Sequence, residues 1–549
     1  MEKPHEAPVE RARTLRAALG AIAFHDVVNL QNARRVAWVA TAALTLALPI
    51  YLLWFFHRPI WGHNLGYDEQ FFTWTGWSVN RGLAPYKDFL EYKPPVLFLT
   101  HALALKLFGW QGMKFRVLFF GLQIAAVTSM QASLLSRGAN KLMTCAVACA
   151  AVFFLSTPQF HDSSWADAES PGYAYFMIGA AALLVRSSRP KVFYALGGVF
   201  MSLCFFTKEP FAPCILTTWL AAFAVNHRIR DFKSAFVPYL AYTTVGVAIV
   251  IVGLCIYMVP TGAMSAYIDT VLSYKKLFRD PKKSYCVLLG TFEPTGSLLG
   301  DVPRQWKIIN ERFFNLTIFG FLVPAFATSA FCLVRKSFLA FVFGVLTILG
   351  ALYTVTVSNC YWPHYFVMAQ TGIFFFLYLG VDAASEMMKK ASWSTRTWAG
   401  VIALAAVFTP VYLRWDAEKH QWEAFPEQAK KVAIFEEPIP GIVAFIIENS
   451  LPTDHIFTTG APGIYMVTDR LHATRISTFM DEVLPALPGD TDEEKLASRR
   501  EELEKWMPKL VILDPEHGPR KARHDKALFQ PFLAKYNYRK VGPYYYVRP

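Results

Sequence analysis

Uncharged apolar runs recur along the chain, and a helical run of roughly 20 residues is long enough to span the hydrocarbon core of a bilayer. The runs at 37–56 and 236–259 reach that length. Those at 115–135, 141–157, 171–186, 192–207, 210–225, 313–334, 337–357, 364–381 and 397–413 read as spans by the same pattern. The stretch 96–110 is apolar too, but it is short and holds His101 and Lys106. Counting it as a span would place the basic residues around Arg34 and Arg137 on opposite sides of the membrane, so it reads as an interfacial helix on the outer surface. About eleven spans remain. Beyond 414 the pattern changes: strand-like runs at 455–459 and 509–513 flank a charged helical run at 492–507. The expected architecture is a polytopic α-helical membrane protein with an N-terminal segment at 1–36, a membrane unit at 37–413 and a small C-terminal α/β domain at 414–549.

Composition agrees with lipid as the solvent, and charge adds a sidedness. The chain is 54% hydrophobic and 17% charged, against roughly 25% charged in soluble domains. Basic clusters fall in every second loop: Arg34 and Arg35, Arg137 and Lys141, Arg186 to Lys191, Arg228 to Lys233, Arg335 and Lys336, and Lys389 to Arg396. Positive loops face the cytoplasm, so the N-terminus is expected there, and the segments 57–114, 158–170, 208–210, 260–312, 358–363 and the C-terminal domain are expected outside. No short apolar stretch with a small-residue cleavage site precedes 37–56, which reads as a retained anchor. The formal charge of +13 then belongs to loops meeting anionic headgroups; membrane lipids are expected partners and nucleic acid is not. Six of the eight cysteines lie in apolar runs without metal-ligand spacing and read as packing residues. Cys286 and Cys360 fall in outer loops and would pair only in an oxidising compartment.

Polar residues at a membrane border are costly, so the outer segments are where chemistry is sought. The adjacent carboxylates Asp68 and Glu69 stand just beyond the first span. In low dielectric such a pair repels itself, leaving one member as a general base, or it binds a metal or a hydroxylated substrate; the ordinary alternative is a solvated loop or a helix cap. Downstream come Gly82-x-x-Pro85-Tyr86-x-Asp88 and Glu91-Tyr92-Lys93-Pro94-Pro95. Asp167 and Glu169 precede a span that Pro171 begins, where an acid also serves a helix start. Lys208 and Glu209 share a tight outer turn: the lysine either snorkels to headgroups or neutralises a phosphate. Tyr361 and Trp362 fit an interfacial aromatic belt, which explains His364 less well. Lys275, Lys276, Arg279, Lys282 and Lys283 crowd an outer loop, against the positive-inside pattern, and would suit a lipid phosphate. Asp68, Glu69 and Glu169 offer oxygen ligands for a divalent cation such as Mg or Mn, though no spacing demands one.

The order of these clusters is more specific than any of them singly. An Asp-Glu after the first span, Gly-x-x-Pro-Tyr-x-Asp, Lys-Pro-Pro, a Glu before a span, Thr207-Lys208 at an outer turn and a late His364-Tyr365-Phe366 resemble the bacterial branch of GT-C membrane glycosyltransferases similar to protein O-mannosyltransferases and lipid A aminoarabinose transferases. The resemblance runs from about Trp38 to His364, with Ala473-Thr474-Arg475 also typical of the branch. It implies a GT-C fold in a bacterial inner membrane, with the site on the periplasmic face. The implied reaction is inverting transfer of a sugar from a polyprenyl-phosphate donor to an envelope glycan, lipid or protein acceptor. Asp68 would be the general base with Glu69 supporting it. Lys93, Lys208, Lys275, Lys276 and Arg279 would bind the donor phosphate. Tyr67, Tyr86, Asp88, Asp167, Glu169, Tyr361, His364 and Tyr365 would surround sugar or acceptor. Two departures stand out: aminoarabinose transferases carry an Arg soon after Asp-Glu, where this chain has Gln70, Phe71 and Phe72, and no large outer insertion is present. The competing function is a lipid-linked sugar flippase or transporter, which needs a similar cavity but commonly shows broken helices and repeats not evident here. An O-antigen ligase fits less well, because its signature does not place Asp-Glu after the first span.

Overall fold

The structure is a computed structural model that describes residues 36, 39–41, 43–58, 61, 67–155, 167–227, 232–278, 318–357, 365–409, 412, 441–459, 462–475, 492–513 and 529–549. Cys286, Arg279, Cys360, Tyr361 and His364 lie outside these residues, as do the side chains of Tyr67, Lys275 and Lys276. Apolar runs become helices because a helix satisfies its backbone polar groups internally, which lipid cannot do for it. In chain order they are α1 (Val39–Arg58), α2 (Tyr67–Asn80), α3 (Pro95–Phe108), α4 (Arg116–Ser136), α5 (Lys141–Leu155), α6 (Glu169–Leu184), α7 (Pro190–Phe205) and α8 (Ala212–Asn226). Then follow α9 (Phe232–Thr261), α10 (Ala263–Phe278), α11 (Ile318–Lys336), α12 (Phe338–Val357), α13 (Phe366–Met387) and α14 (393–409). Five of them, α1, α4, α9, α12 and α13, are long and apolar enough to cross a membrane. The chain is a multi-pass, mostly helical membrane protein.

Two segments expected outside carry more helix than the hydropathy pattern showed. Among the described residues of 57–114 there are two α-helices that begin and end within the segment: α3, with one face buried and Leu103 and Leu107 exposed on the other, and α2, whose first turn holds Asp68 and Glu69. Only α3 has the apolar run that the sequence makes visible. Likewise α9 runs to Thr261, and after a break at Gly262 (φ +73°) the chain resumes as α10.

Small residues bring the helices close, as packing between helices in lipid requires. A Cβ on Gly198 would lie 2.1 Å from the Thr243 carbonyl oxygen, and one on Gly246 would lie 2.0 Å from that of Ala195, so α7 and α9 cross backbone to backbone. At one end of the bundle Arg137 is buried. Its Nε and Nη2 donate to Asp382 at 3.0 Å each, and its Nη1 donates to the Leu184 carbonyl at 3.0 Å. Lys336 reaches the same carboxylate at 2.8 Å. Residues that mark sidedness in the sequence therefore also tie together the ends of α4, α6, α11 and α13.

The C-terminal part holds α15 (Ile442–Asn449), β1 (His455–Thr458), α16 (Gly463–Thr468), β2 (Leu471–His472), α17 (Asp492–Trp506), β3 (Leu510–Ile512), β4 (Arg539–Lys540) and β5 (Tyr545–Val547). They form a mixed sheet in the order β2-β1-β3-β5-β4, parallel for β2, β1 and β3 and antiparallel beyond. Strand alternation splits its core in two. Ile456, Leu510 and Ile512 join a core continuous with the helical bundle. Phe457 and Val511 face a second core with Leu503, Phe529 and Phe532.

Candidate active site

The site is built where α2 and α3 cross. A Cβ on Gly76 would stand 2.5 Å from His101 Cβ and 2.6 Å from the Ala102 nitrogen, so no side chain separates the two helices there. Asn80 Nδ2 donates to the Ala102 carbonyl at 2.8 Å and closes the far end of the crossing. This contact fixes the direction of α2, and hence of the acidic pair in its first turn.

The two acids of that pair face different surroundings. Asp68 is exposed, whereas Glu69 is fully buried. Arg116 of α4 grips Glu69 with two bonds, Nε to Oε1 at 2.8 Å and Nη2 to Oε2 at 2.7 Å, and its Nη1 donates to the Trp61 carbonyl at 3.1 Å. The bidentate fork fixes the carboxylate's position. Both oxygens of Glu69 are thus committed to an arginine, while Asp68 stands at the surface.

The segment from Ala84 to Lys93 forms one wall. Asp88 closes a turn by accepting the Ala84 N–H on Oδ2 at 2.7 Å. Inside that turn Tyr86 takes a left-handed φ of +65°, costly for a residue with a side chain. Its buried phenol secures the conformation by donating to the Lys93 carbonyl at 2.6 Å. Glu91 folds back so that Oε1 accepts the N–H of Tyr92 at 2.8 Å and of Lys93 at 3.1 Å. Burial pushes the Glu91 pKa up to about 7; Lys93 and the two backbone donors oppose the rise, and the charge of Asp68 adds to it. Lys93 Nζ lies 3.2 Å from the Tyr92 hydroxyl and 4.4 Å from its ring centroid.

The opposite wall comes from the start of α6 and the turn after α7. Lys208 and Glu169, both buried, form an ion pair, and Lys208 Nζ sits 4.1 Å from the centre of the Tyr365 ring. Burial and the like charge of Lys93 press the Lys208 pKa down, and Asp167, Glu209 and Asp68 oppose that shift. Asp167 accepts the Ser170 N–H at 3.0 Å on Oδ1, while its buried Oδ2 has no hydrogen-bond partner among the described residues. Burial raises the Asp167 pKa to about 7, against the pull of Ser170 and Lys208 and with a push from Asp68 and Glu69. The charge of Asp68 is therefore felt on both walls, at Glu91, Asp167 and Lys208.

The fold brings together Asp68, Lys93, Asp167, Glu169, Lys208 and Tyr365. Asp88 and Tyr86 act within the backbone of one wall, and Glu69 is turned toward Arg116. Sequence reasoning named Glu91 within its cluster without giving it a role, and missed Arg116. Glu91 had a signal, since it lies two residues before Lys93; Arg116 opens a predicted span and had none. A cation held by Asp68, Glu69 and Glu169 does not fit this arrangement, because Glu69 is taken by Arg116 and Glu169 by Lys208. Among the described residues no three His, Cys, Asp or Glu side chains group as a metal-holding set.

Next to Lys208 a groove of about 450 Å³ runs between α7, α8 and α9. Its lining is almost wholly apolar and includes Phe205, Phe206, Ala212, Leu216, Trp219 and Ile251. Two of its lining residues, Phe206 and Ala212, lie on either side of the Lys208 turn in sequence.

No family model and no curated protein matches the chain. Among solved structures it is similar to ArnT from Cupriavidus metallidurans in the apo state, with a TM-score of 0.49 and 12% identity over 94% of this chain and 98% of that one. It is similar also to ArnT from the same organism bound to undecaprenyl phosphate, with a TM-score of 0.48 and 11% identity over 93% of this chain and 97% of that one.

Proposed function

We propose that the chain transfers a sugar from a polyprenyl-phosphate donor to an acceptor hydroxyl, with inversion at the anomeric carbon. One observation supports the reading: an exposed carboxylate, Asp68, and two lysines, Lys93 and Lys208, are near enough for their charges to act on the same groups, and an apolar groove is lined by residues on either side of the Lys208 turn. A carboxylate to accept a proton, cations to hold a phosphate and a groove to hold a prenyl chain are the parts this chemistry needs.

In the reaction the acceptor oxygen attacks the anomeric carbon from the face opposite the phosphate, and Asp68 takes its proton. The bond between anomeric carbon and phosphate oxygen breaks, and its electron pair stays on the phosphate. Lys93 and the remaining N–H donors of Lys208 stabilise that charge, so the leaving group needs no strong acid, unlike the leaving oxygen in glycoside hydrolysis. Glu69 and Arg116 hold the first turn of α2 and so aim Asp68. Asp167, Glu169 and Tyr365 flank the sugar or acceptor; the roles of Lys275, Lys276 and Arg279 toward the donor phosphate, and of Tyr361 and His364 toward the sugar or acceptor, rest on the family resemblance of the sequence. About eleven spans, with the basic loops cytoplasmic, would put this site and the C-terminal α/β domain on the periplasmic face of a bacterial inner membrane. The acceptor is an envelope glycan, lipid or protein.

Asp68→Asn tests the reading directly. The variant is expected to insert and fold as the wild type does, and to lose transfer from a radiolabelled polyprenyl-phosphate sugar by about 100-fold or more, the scale of a lost general base. Full activity in that variant would remove Asp68 from the chemistry.

A further inference from the structure

The wall that carries Lys93 is held from outside the helical bundle as well as from within it. On the bundle side the Tyr86 hydroxyl meets the Lys93 carbonyl, and the Val96 N–H donates to the Phe206 carbonyl at 2.9 Å. On the other side two alternate residues of the same strip are gripped by the C-terminal unit. His472 Nε2 lies 3.0 Å from the Asp88 carbonyl oxygen, and the Leu90 N–H donates to the Arg475 carbonyl at 2.7 Å. Between them Phe89 points into the bundle, 5.6 Å from Trp74 between ring centres, whereas the Leu90 side chain packs against the C-terminal core. Successive residues are thus committed to opposite sides, Phe89 to the bundle and Leu90 to the C-terminal core.

The gripping residues are themselves fixed. The His472 ring is buried and stands edge-on to Trp74, with ring centres 4.9 Å apart. Burial lowers its pKa to about 4, so the ring is neutral, and the carbonyl at Asp88 requires the proton on Nε2. Arg475 is anchored by Glu502, which accepts its N–H at 3.2 Å and its Nε–H at 2.7 Å. An ion pair between Arg81 and Asp469 joins the end of α2 to the same unit. From Leu90 to Lys93 the chain is three residues long, a reach of roughly 10 Å at most, so a shift of one end is passed to the other.

We propose that the C-terminal unit sets the position of Lys93 in the site, with His472 as a positioning residue that grips the backbone at Asp88. The inference rests on Lys93 being a donor-phosphate ligand. Neither His472 nor Arg475 touches the reacting groups, and their effect reaches the donor through Lys93.

The test measures undecaprenyl phosphate binding and hydrogen exchange of the 84–95 backbone in the full-length protein. His472→Ala, which loses the donor to Asp88, is expected to weaken binding about tenfold, the scale of one hydrogen bond. His472→Gln, which restores an N–H near the same place, is expected to stay within about twofold of wild type. In a Lys93→Ala background, His472→Ala should add less than about twofold, because the residue it positions is gone. Exchange at 84–95 should quicken in His472→Ala and not in His472→Gln. Unchanged binding in His472→Ala, equal losses in the two variants, or losses that multiply with Lys93→Ala would each overturn the proposal. Should His472→Ala fail to fold, Leu90→Ala, which withdraws the side chain held by the C-terminal core, is expected to give the same weakened binding and faster exchange; wild-type values there would refute it. A wild-type protein that binds no polyprenyl phosphate would defeat the reading of Lys93, while the exchange results would still report whether the grip exists.

Discussion

Replacing Arg116 by leucine separates the part of the acidic pair that holds the fold from the part that does chemistry. Arg116 and Glu69 are both wholly buried and share two short hydrogen bonds, with a third from Arg116 to the Trp61 carbonyl. Removing only the arginine strands a carboxylate in the interior, which costs about 3–5 kcal/mol. Removing both partners leaves no buried charge, and similar exchanges of buried pairs for apolar residues are often neutral. The expected result is thus non-additive: Arg116→Leu and Glu69→Leu each destabilise strongly, and the double variant regains most of the loss. Thermal unfolding in detergent measures the cycle, and sugar transfer by each well-folded variant measures function. With Asp68 in its proposed role as the base, the double variant should keep transfer far above that of Asp68→Asn. A double variant that folds as well as wild type yet is as inactive as Asp68→Asn would show Glu69 to be part of the chemistry.

Two further outcomes follow from the walls of the site. Glu91 and Asp167 both have pKa values raised to about 7 by burial, so each passes from about nine-tenths protonated at pH 6 to about nine-tenths ionised at pH 8. New negative charge beside a donor phosphate opposes its binding, and the apparent donor KM should rise about threefold to tenfold across that window; Glu91→Gln should flatten the rise, and an unaltered pH profile in that variant would remove Glu91 from it. Gly76→Ala should force α2 and α3 apart, because the added carbon would meet backbone at 2.6 Å. A cost of about 1–3 kcal/mol is expected, together with reduced transfer as Asp68 is re-aimed, and wild-type stability and rate would contradict the crossing as described.

Run length and charge are local properties, and the sequence carries them openly. A long apolar run must be helical in lipid whatever surrounds it, because no other local structure satisfies its backbone. The helices α4, α5, α7, α12 and α13 accordingly overlie apolar runs to within a few residues at most of their ends. The sheet strands β1 and β3 likewise follow their alternating runs. Helix α2 escaped because its sequence mixes acids, aromatics and threonines without a lipid-length apolar run; its helical form depends on α3 packing against Gly76. The order of Asp68, Lys93, Glu169 and Lys208 made the candidate site visible, since its polar residues stand at borders where lipid tolerates few.

What each of those residues does depends on partners distant in sequence. Nothing in the residues around Glu69 tells it from Asp68; the distinction comes from Arg116, 47 positions on. His472 reaches the backbone of Asp88 across 384 positions, and burial, not composition, brings Glu91 and Asp167 to their raised pKa values. The sequence by itself determined that the chain enters a membrane and which polar residues flank its apolar runs, because hydrophobic length acts residue by residue. Only the tertiary structure decided which carboxylate is exposed and which is buried against an arginine, because hydrogen-bond partners and loss of water are properties of packed neighbours.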